Sequence, residues 1–103
     1  MAYEEIFSAL ADPTRRHIFE ALRGQAKSVA EVAASQPVSR PAVSQHLKVL
    51  EQADLVVAER QGNRRIYSIK RESLNELRAY LDSFWSDVLT AYGDEITLRM
   101  KKN

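Results

Sequence analysis

The clearest hydrophobic pattern lies near the middle of the chain. Val43, Leu47 and Leu50 stand three or four positions apart, which is the spacing of one face of an α-helix. Ser39 is a favourable N-cap, and Pro41 is tolerated in a first turn whose amides have no helical partner. The pattern therefore predicts an amphipathic helix that buries one face.

The opposite face of this predicted helix is polar. At about 100° per residue it carries Pro41, Ser44, Gln45, Lys48 and Gln52. Hydroxyl, amide and cationic groups of this kind bind base edges and phosphates. We expect Ser44, Gln45 and Lys48 to enter a DNA groove, where the Gln45 amide suits adenine. Ser39 and Arg40, at the N-terminal end, are expected to contact phosphates.

Two shorter helices are predicted at the start of the chain. Apolar residues at helical spacing mark the first, over about residues 3–11: Tyr3, Ile6, Phe7 and Leu10. Asp12 and Pro13 favour the start of a second helix, which we expect to end at Gly24 in a left-handed conformation. Arg15 and Arg16 oppose its dipole, so we expect water, a phosphate or a carboxylate beside them.

A third short helix completes a helix-turn-helix. Ser28 and Glu31 have the spacing of a capping box, in which each side chain bonds to a backbone amide near the helix start. This helix is predicted to run to about Ala34. Residues 35–38 include a proline and form the turn before the amphipathic helix.

The hydrophobic period changes after Leu50. Residues 54–59 and 66–69 favour strands, and Gln61-Gly62-Asn63 between them is a turn sequence. These segments predict a β-hairpin. Three guanidinium groups surround its tip, and we expect them to contact phosphates or the minor groove rather than serve only as soluble charge: Arg60, Arg64 and Arg65.

A long apolar stripe predicts a last helix over about residues 72–98, with Gly93 as a possible end or bend. The stripe is wider than one helix needs to dock on a small domain, so we interpret it as a homodimer interface flanked by the first helix. The predicted interface residues are Tyr3, Ile6, Phe7, Leu10, Leu77, Tyr80, Leu81, Phe84, Trp85 and Val88. An alternative is that this stripe also holds a small apolar inducer between two subunits, at Tyr80, Phe84 and Trp85.

Composition and charge place these elements in one small DNA-binding domain. The 103 residues, 45% of them hydrophobic, suit a single domain over residues 1–103, mainly α-helical with a small β-hairpin wing. Residues 40–71 carry seven Lys/Arg and three Asp/Glu, whereas residues 72–96 carry one and six. Positive charge therefore gathers around the predicted reading helix, which favours double-stranded DNA as the partner.

Other classes of function lack the residues they require. The chain has no cysteine and three glycines, and no nucleophile with a base or phosphate-binding loop is suggested, so we expect neither an enzyme nor a cofactor. His17 and His46 have no partner at ligand spacing, which argues against a metal site. No apolar run approaches the length of a membrane span, so we expect a cytoplasmic protein that does not associate with membranes.

Four segments occur in a characteristic order: LADPTRR at 10–16, SVAEVA at 28–33, SRPAVSQHLKVLEQADLV at 39–56 and QGNRRIYSI at 61–69. Together they resemble ArsR-type (ArsR/SmtB) winged helix-turn-helix transcriptional regulators over essentially the whole chain. The resemblance implies a homodimer joined through the first and last helices. It also implies two recognition helices in successive major grooves of an imperfect inverted repeat, and repression that some signal relieves.

The chain departs from the metal-sensing members of that family. Where they carry a cysteine motif in the third helix, this sequence has Ser-Val-Ala-Glu, and Asp87 is the one residue able to bind metal at the positions aligned with their last-helix ligands. It therefore resembles a cysteine-free branch, for which we expect no metal sensing. The remaining alternative is a winged helix that binds protein, which would be expected to lack the basic outer face.

Overall fold

A computed structural model describes the backbone of residues 3–101 and the side chains of residues 4–93. Within them the elements are α1 (Tyr3–Ala11), α2 (Pro13–Glu20), β1 (Lys27–Ser28), α3 (Val29–Ser35), α4 (Arg40–Gln52), β2 (Val56–Gln61), β3 (Arg64–Ile69) and α5 (Arg71–Lys101). This order confirms the predicted fold class. The chain divides into two compact units, Met1–Ser73 and Leu74–Asn103. The single domain expected from the sequence stays a prediction.

The junction between α1 and α2 is held by hydrogen bonds in both directions. Asp12 accepts the amide of Arg15 at 3.0 Å, which confirms the predicted N-cap. The Arg15 guanidinium donates to the carbonyl of Ala9 at 3.2 Å, and that of Arg16 donates to Leu10 at 2.9 Å. The two arginines therefore satisfy carbonyls at the end of α1, which have no partner within that helix. Backbone carbonyls are partners that the sequence analysis had not considered.

α2 ends earlier than predicted. Its C-cap is Ala21, which has a right-handed helical φ of −63°. The amides of Leu22 and Arg23 bond to the carbonyls of Phe19 and Glu20 at 3.0 and 3.1 Å. The prediction that Gly24 ends α2 in a left-handed conformation was wrong. The helix ends in these turn bonds, and Gly24 has no positive φ.

The hydrophobic core of Met1–Ser73 contains side chains from α1, α2, α3 and α4 and from the start of the hairpin. Eight aliphatic side chains are at most 1% exposed: Ile6, Ile18, Val32, Val43, Leu47, Leu50, Leu55 and Val56. Burying one such side chain contributes about 1.5–3 kcal/mol. The apolar stripe predicted for α4 is thus confirmed as a core-facing surface.

The sheet contains one strand more than the sequence predicted. The hairpin of β2 and β3 is confirmed, with Gln61 paired to Arg64 beside the turn. β1 lies on the other side of β3, giving the order β1-β3-β2, and its Ser28 pairs with Ile66. A strand of two residues is too short to show an alternating pattern. Its Ser28 is extended because it is also the N-cap of α3.

Asp54, just after α4, forms hydrogen bonds with residues at or just before the start of α5. Asp54 has a left-handed backbone, with φ at 64°. Its carboxylate accepts the Lys70 ammonium at 2.7 Å, and its carbonyl accepts the hydroxyl of Ser73, which is 1% exposed. The Lys70 amide also bonds to the carbonyl of Leu55 at 2.9 Å. Asp tolerates this conformation better than most residues, which explains its place here.

α5 is longer than predicted. It runs through Gly93, where the sequence suggested an end, and its backbone remains helical to Lys101. One glycine costs a helix only about 1 kcal/mol, so the helical segments on both sides continue through it.

Two glycines provide a matched test of the hairpin turn. Gly62 has a φ of 62° whereas Gly24 has no positive φ, and a Cβ at either would meet no described atom within 4 Å beyond its chain neighbours. We expect Gly62→Ala to lower the free energy of unfolding by about 1 kcal/mol. Gly24→Ala should raise it by about 0.4–1 kcal/mol, because it restricts the unfolded chain. Urea unfolding measures both changes, and equal effects would contradict this difference.

Candidate nucleic-acid interface

α4 presents one buried face and one exposed face. Val43, Leu47 and Leu50 are 0% exposed. The side chains predicted to contact DNA from this helix and its cap are all exposed: Ser39, Arg40, Ser44, Gln45 and Lys48. The core therefore orients α4 so that its hydroxyl, amide and cationic groups face solvent.

The N-terminus of α4 is built to accept a negative charge. The Ser39 hydroxyl accepts the amide of Ala42 at 3.3 Å, which confirms the N-cap, and Arg40 is the first helical residue. Pro41 has no amide hydrogen and the Val43 amide bonds to the carbonyl of Ser39 at 3.0 Å. The Arg40 amide therefore remains for an outside acceptor, and the helix dipole places partial positive charge there. This end of α4 can therefore bind a phosphate.

The hairpin of β2 and β3 is called the wing below, and its three arginines have different contacts. Arg60 donates through Nε to the carbonyl of Gly62 at 3.2 Å, within the turn itself. The Arg65 guanidinium lies 5.8 Å from the centre of the Tyr67 ring and 3.7 Å from a carboxylate oxygen of Glu51 on α4. All three arginine residues are exposed.

Arg64 is bonded to the N-terminus of α3. Its Nη2 donates to Oε1 of Glu31 at 2.9 Å and to Oγ of Ser28 at 3.0 Å. The same two acceptor atoms close the capping box, since Glu31 Oε1 accepts the Ser28 amide and Ser28 Oγ accepts the Glu31 amide. The sequence revealed the capping box but not Arg64, which lies 33 residues beyond Glu31.

A cleft of about 490 Å³ separates the wing from α4. Its lining includes Ser44 and Lys48 from α4, and Asn63, Arg64 and Arg65 from the wing. The structure thus brings two predicted α4 contact residues and two predicted wing residues to one concave surface. Arg60 pairs with Arg65 across the hairpin, and both border a second hollow together with Asn63.

Two carboxylates at helix starts have a pKa below the ordinary value. Hydrogen bonds from the Ser28 amide and hydroxyl lower the pKa of Glu31, and the charges of Arg64 and Lys27 add to the effect. The Arg15 amide is the main cause of the lowered pKa of Asp12, with smaller contributions from the charges of Arg15 and His46. His46 is half-buried.

The residues predicted for a dimer interface lie in several environments. On α1, Ile6 is 1% exposed and belongs to the chain's own core, Leu10 is half-buried, and Phe7 is 46% exposed. The side chain of Tyr3 lies outside the described residues. On α5, Leu77 and Val88 are half-buried and the other four are exposed: Tyr80, Leu81, Phe84 and Trp85.

Among the side chains of residues 4–93, no group of three or more His, Cys, Asp or Glu is arranged to hold a metal ion. The described helices include none that is long and apolar enough to cross a membrane.

The three-stranded sheet and the helix pair α3–α4 together define a winged helix-turn-helix, the class of protein whose second helix reads DNA. A family model described as a helix-turn-helix domain matches residues 10–59. The HTH-type transcriptional regulator Rv2034 of Mycobacterium tuberculosis is 48% identical over 93 residues, covering 90% of this chain and 87% of the relative. The chain belongs to the ArsR family of winged helix-turn-helix transcriptional regulators.

Two further relatives show what similar chains do. The transcriptional repressor SdpR of Bacillus subtilis is 34% identical over 71 residues, covering 69% of this chain and 79% of the repressor. Among solved structures, the homodimeric winged helix-turn-helix DNA-binding domain of Mb0332 from Mycobacterium bovis matches with a TM-score of 0.67 and 27% identity. That match covers 84% of this chain and 80% of the domain. The protein is therefore a transcriptional regulator with a helix-turn-helix DNA-binding domain.

The lowered pKa of Glu31 predicts how its bonds respond to acid. They stabilise the folded chain fully above the ordinary pKa of a glutamate and are lost as the pH falls through the lower, folded-state pKa. We expect Glu31→Gln to lower Tm at neutral pH, with the difference from wild type shrinking below about pH 4.

Thermal unfolding followed by circular dichroism between neutral pH and about pH 3 measures this difference. Glu59→Gln, at an exposed position on β2, is the matched control and should show no comparable convergence. A Tm difference for Glu31→Gln that stays constant over the range would contradict the lowered pKa.

Proposed function

We propose that this regulator is a homodimeric repressor that binds an inverted-repeat operator, with α4 of each subunit in the major groove. The observation that supports this most directly is the arrangement of α4. Three fully buried aliphatic residues fix the helix, and exposed Ser44, Gln45 and Lys48 lie on its outer side. An α-helix fits the major groove, where each base pair presents a distinct set of donors and acceptors.

Each exposed group has a role suited to its chemistry. Gln45 reads a base, because its amide can both donate to and accept from adenine. Ser44 and Lys48 contact the same groove or its edge. Ser39 and Arg40 contact phosphates at the helix N-terminus, and Arg60 contacts a phosphate from the tip of the wing.

The exposed apolar stripe of α5 supports dimerisation. Phe84 and Trp85 are each 61% exposed, and Leu81 is 49% exposed. A contiguous apolar surface on a helix is typical of a subunit interface. The relative from Mycobacterium bovis is homodimeric, and SdpR is a repressor. Two copies related by a two-fold axis would present two reading helices to the two halves of an inverted repeat.

The experiment that tests this function is genome-wide footprinting of the tagged protein in its own cells. Purified protein is then titrated with the recovered sites and with random duplexes at two salt concentrations. We expect a shared inverted repeat, bound far more tightly than random DNA and with steep salt dependence. Failure to recover any common site, with only weak salt-sensitive binding, would contradict the proposal and favour a protein-binding winged helix.

The base-reading role of Gln45 has its own test. Gln45→Ala should reduce the discrimination between operator and random duplex by about 1–3 kcal/mol, because one bidentate contact is lost. Gln52→Ala is the matched control. It removes the same exposed amide from the same helix about 10 Å further from the N-terminus, and we expect it to leave discrimination unchanged. Equal losses on both duplexes for Gln45→Ala would contradict the reading role.

The dimer interface is tested by placing a charge in the stripe of α5. Phe84→Asp should convert the dimer to a monomer, because a carboxylate cannot be buried there without a partner. Ser86→Asp adds the same charge to an exposed position on the opposite side of the helix and should leave the dimer intact. Sedimentation velocity measures both, and a dimeric Phe84→Asp protein would exclude this interface.

A further inference from the structure

We propose that Glu31, an acidic residue beside the DNA-binding surface, is a positioning residue for DNA binding that fixes the wing against the helix-turn-helix through Arg64. The three residues of this contact, Ser28, Glu31 and Arg64, are called the wing brace below. The inference rests on the proposed DNA-binding function and deepens it. The sequence analysis expected Arg64 to contact phosphates or the minor groove, whereas this inference makes it a link between two parts of the protein.

The bonds of the wing brace hold one nitrogen of the Arg64 guanidinium within the chain. One nitrogen, Nη2, donates to both Glu31 at 2.9 Å and Ser28 at 3.0 Å. Hydrogen bonds between a guanidinium and a carboxylate are stronger than neutral ones. Ser28 is 4% exposed, so its hydroxyl is a sheltered and fixed acceptor. A phosphate that recruited Nη2 would have to break these bonds.

The wing needs such a contact because its strands alone hold it weakly. β1 pairs with β3 at two positions only, Lys27 with Tyr67 and Ser28 with Ile66. Arg64 and Arg65 lie beyond this pairing, towards the turn, where the hairpin has two strands. A two-stranded hairpin is marginally stable in water. The wing brace restrains the hairpin at the point where the third strand no longer does.

The proposal predicts a change in operator affinity opposite to the one that electrostatics alone would cause. Removing an acidic side chain near bound DNA removes repulsion and should tighten binding if electrostatics alone matters. If Glu31 positions the wing, Glu31→Gln weakens operator binding instead. Glutamine is also a capping-box residue, so this substitution can keep the start of α3 intact while weakening the bond to Arg64.

Operator and random duplexes are titrated with the wild-type chain and five variants, over a series of salt concentrations. We expect Glu31→Gln to weaken operator binding by roughly threefold, and Glu59→Gln, the control on the same wing, to leave it unchanged or tighter. Arg64→Ala should weaken binding at least as much as Glu31→Gln. The double variant Glu31→Gln/Arg64→Ala should be no weaker than Arg64→Ala alone, because the two residues act through one contact.

The salt series separates a positioning role from a phosphate contact. Loss of a phosphate contact lowers the magnitude of the slope of log K against log[salt] by about 0.9. Arg60→Ala should show that decrease, and Arg64→Ala should not. Far-ultraviolet circular dichroism and Tm of each variant establish that it is folded at the titration temperature.

Two results would overturn the proposal: tighter binding by Glu31→Gln, as for Glu59→Gln, or a slope lowered by about 0.9 in Arg64→Ala. Both can occur while the wild-type chain binds its operator, which would leave the proposed function standing. A wild-type chain without specific binding would remove the proposed function and this inference together.

Discussion

Burial of one face of α4 is the constraint on which the proposed DNA-binding surface depends. Val43, Leu47 and Leu50 are completely buried, and each contributes about 1.5–3 kcal/mol by leaving water. Rotating α4 about its axis would expose them, so the energy of the core fixes the rotation of the helix. The polar face can then change with little effect on stability, because its side chains take no part in the core. Separating the two faces allows one fold to carry different reading residues.

Short polar residues at helix starts hold the remaining elements in place. Asp12, Ser28 and Ser39 each accept an amide of the helix that follows. Ser28 does more, since it also belongs to β1 and accepts Arg64 of the wing. The helix-turn-helix and the sheet therefore share one buried residue, and a change at that position would affect both.

The elements that the sequence predicted well depend on local chemistry. The caps at Asp12, Ser28 and Ser39, the apolar face of α4 and the Gly62 turn are each encoded within a few neighbouring residues, and each is confirmed. The exposed side chains predicted for α4 follow from its periodicity.

What the sequence did not show depends on distant parts of the chain. β1 exists because two residues meet β3, more than thirty positions away. The bond of Arg64 to Glu31 on α3 spans 33 positions and requires the fold to be known first. The bonds of Arg15 and Arg16 span only six positions, but they depend on how α2 is placed against the end of α1. For the same reason, periodicity placed Ile6 on an interface stripe although it is buried within the chain. An apolar stripe shows which residues avoid water but not which surface covers them.

The bond from Arg64 to Ser28 joins residues 36 positions apart. Closing such a loop lowers the conformational entropy of the chain before the contact adds any stabilising energy. Contacts of this kind therefore form late in folding. The pairs α1–α2 and α3–α4 contact each other as neighbours in sequence, which favours their earlier formation. The same order governs opening, because the segments with the fewest buried contacts exchange first with solvent. α4, with three completely buried residues, is therefore expected to exchange late, and the bond that joins the wing to α3 is expected to open before the helices separate.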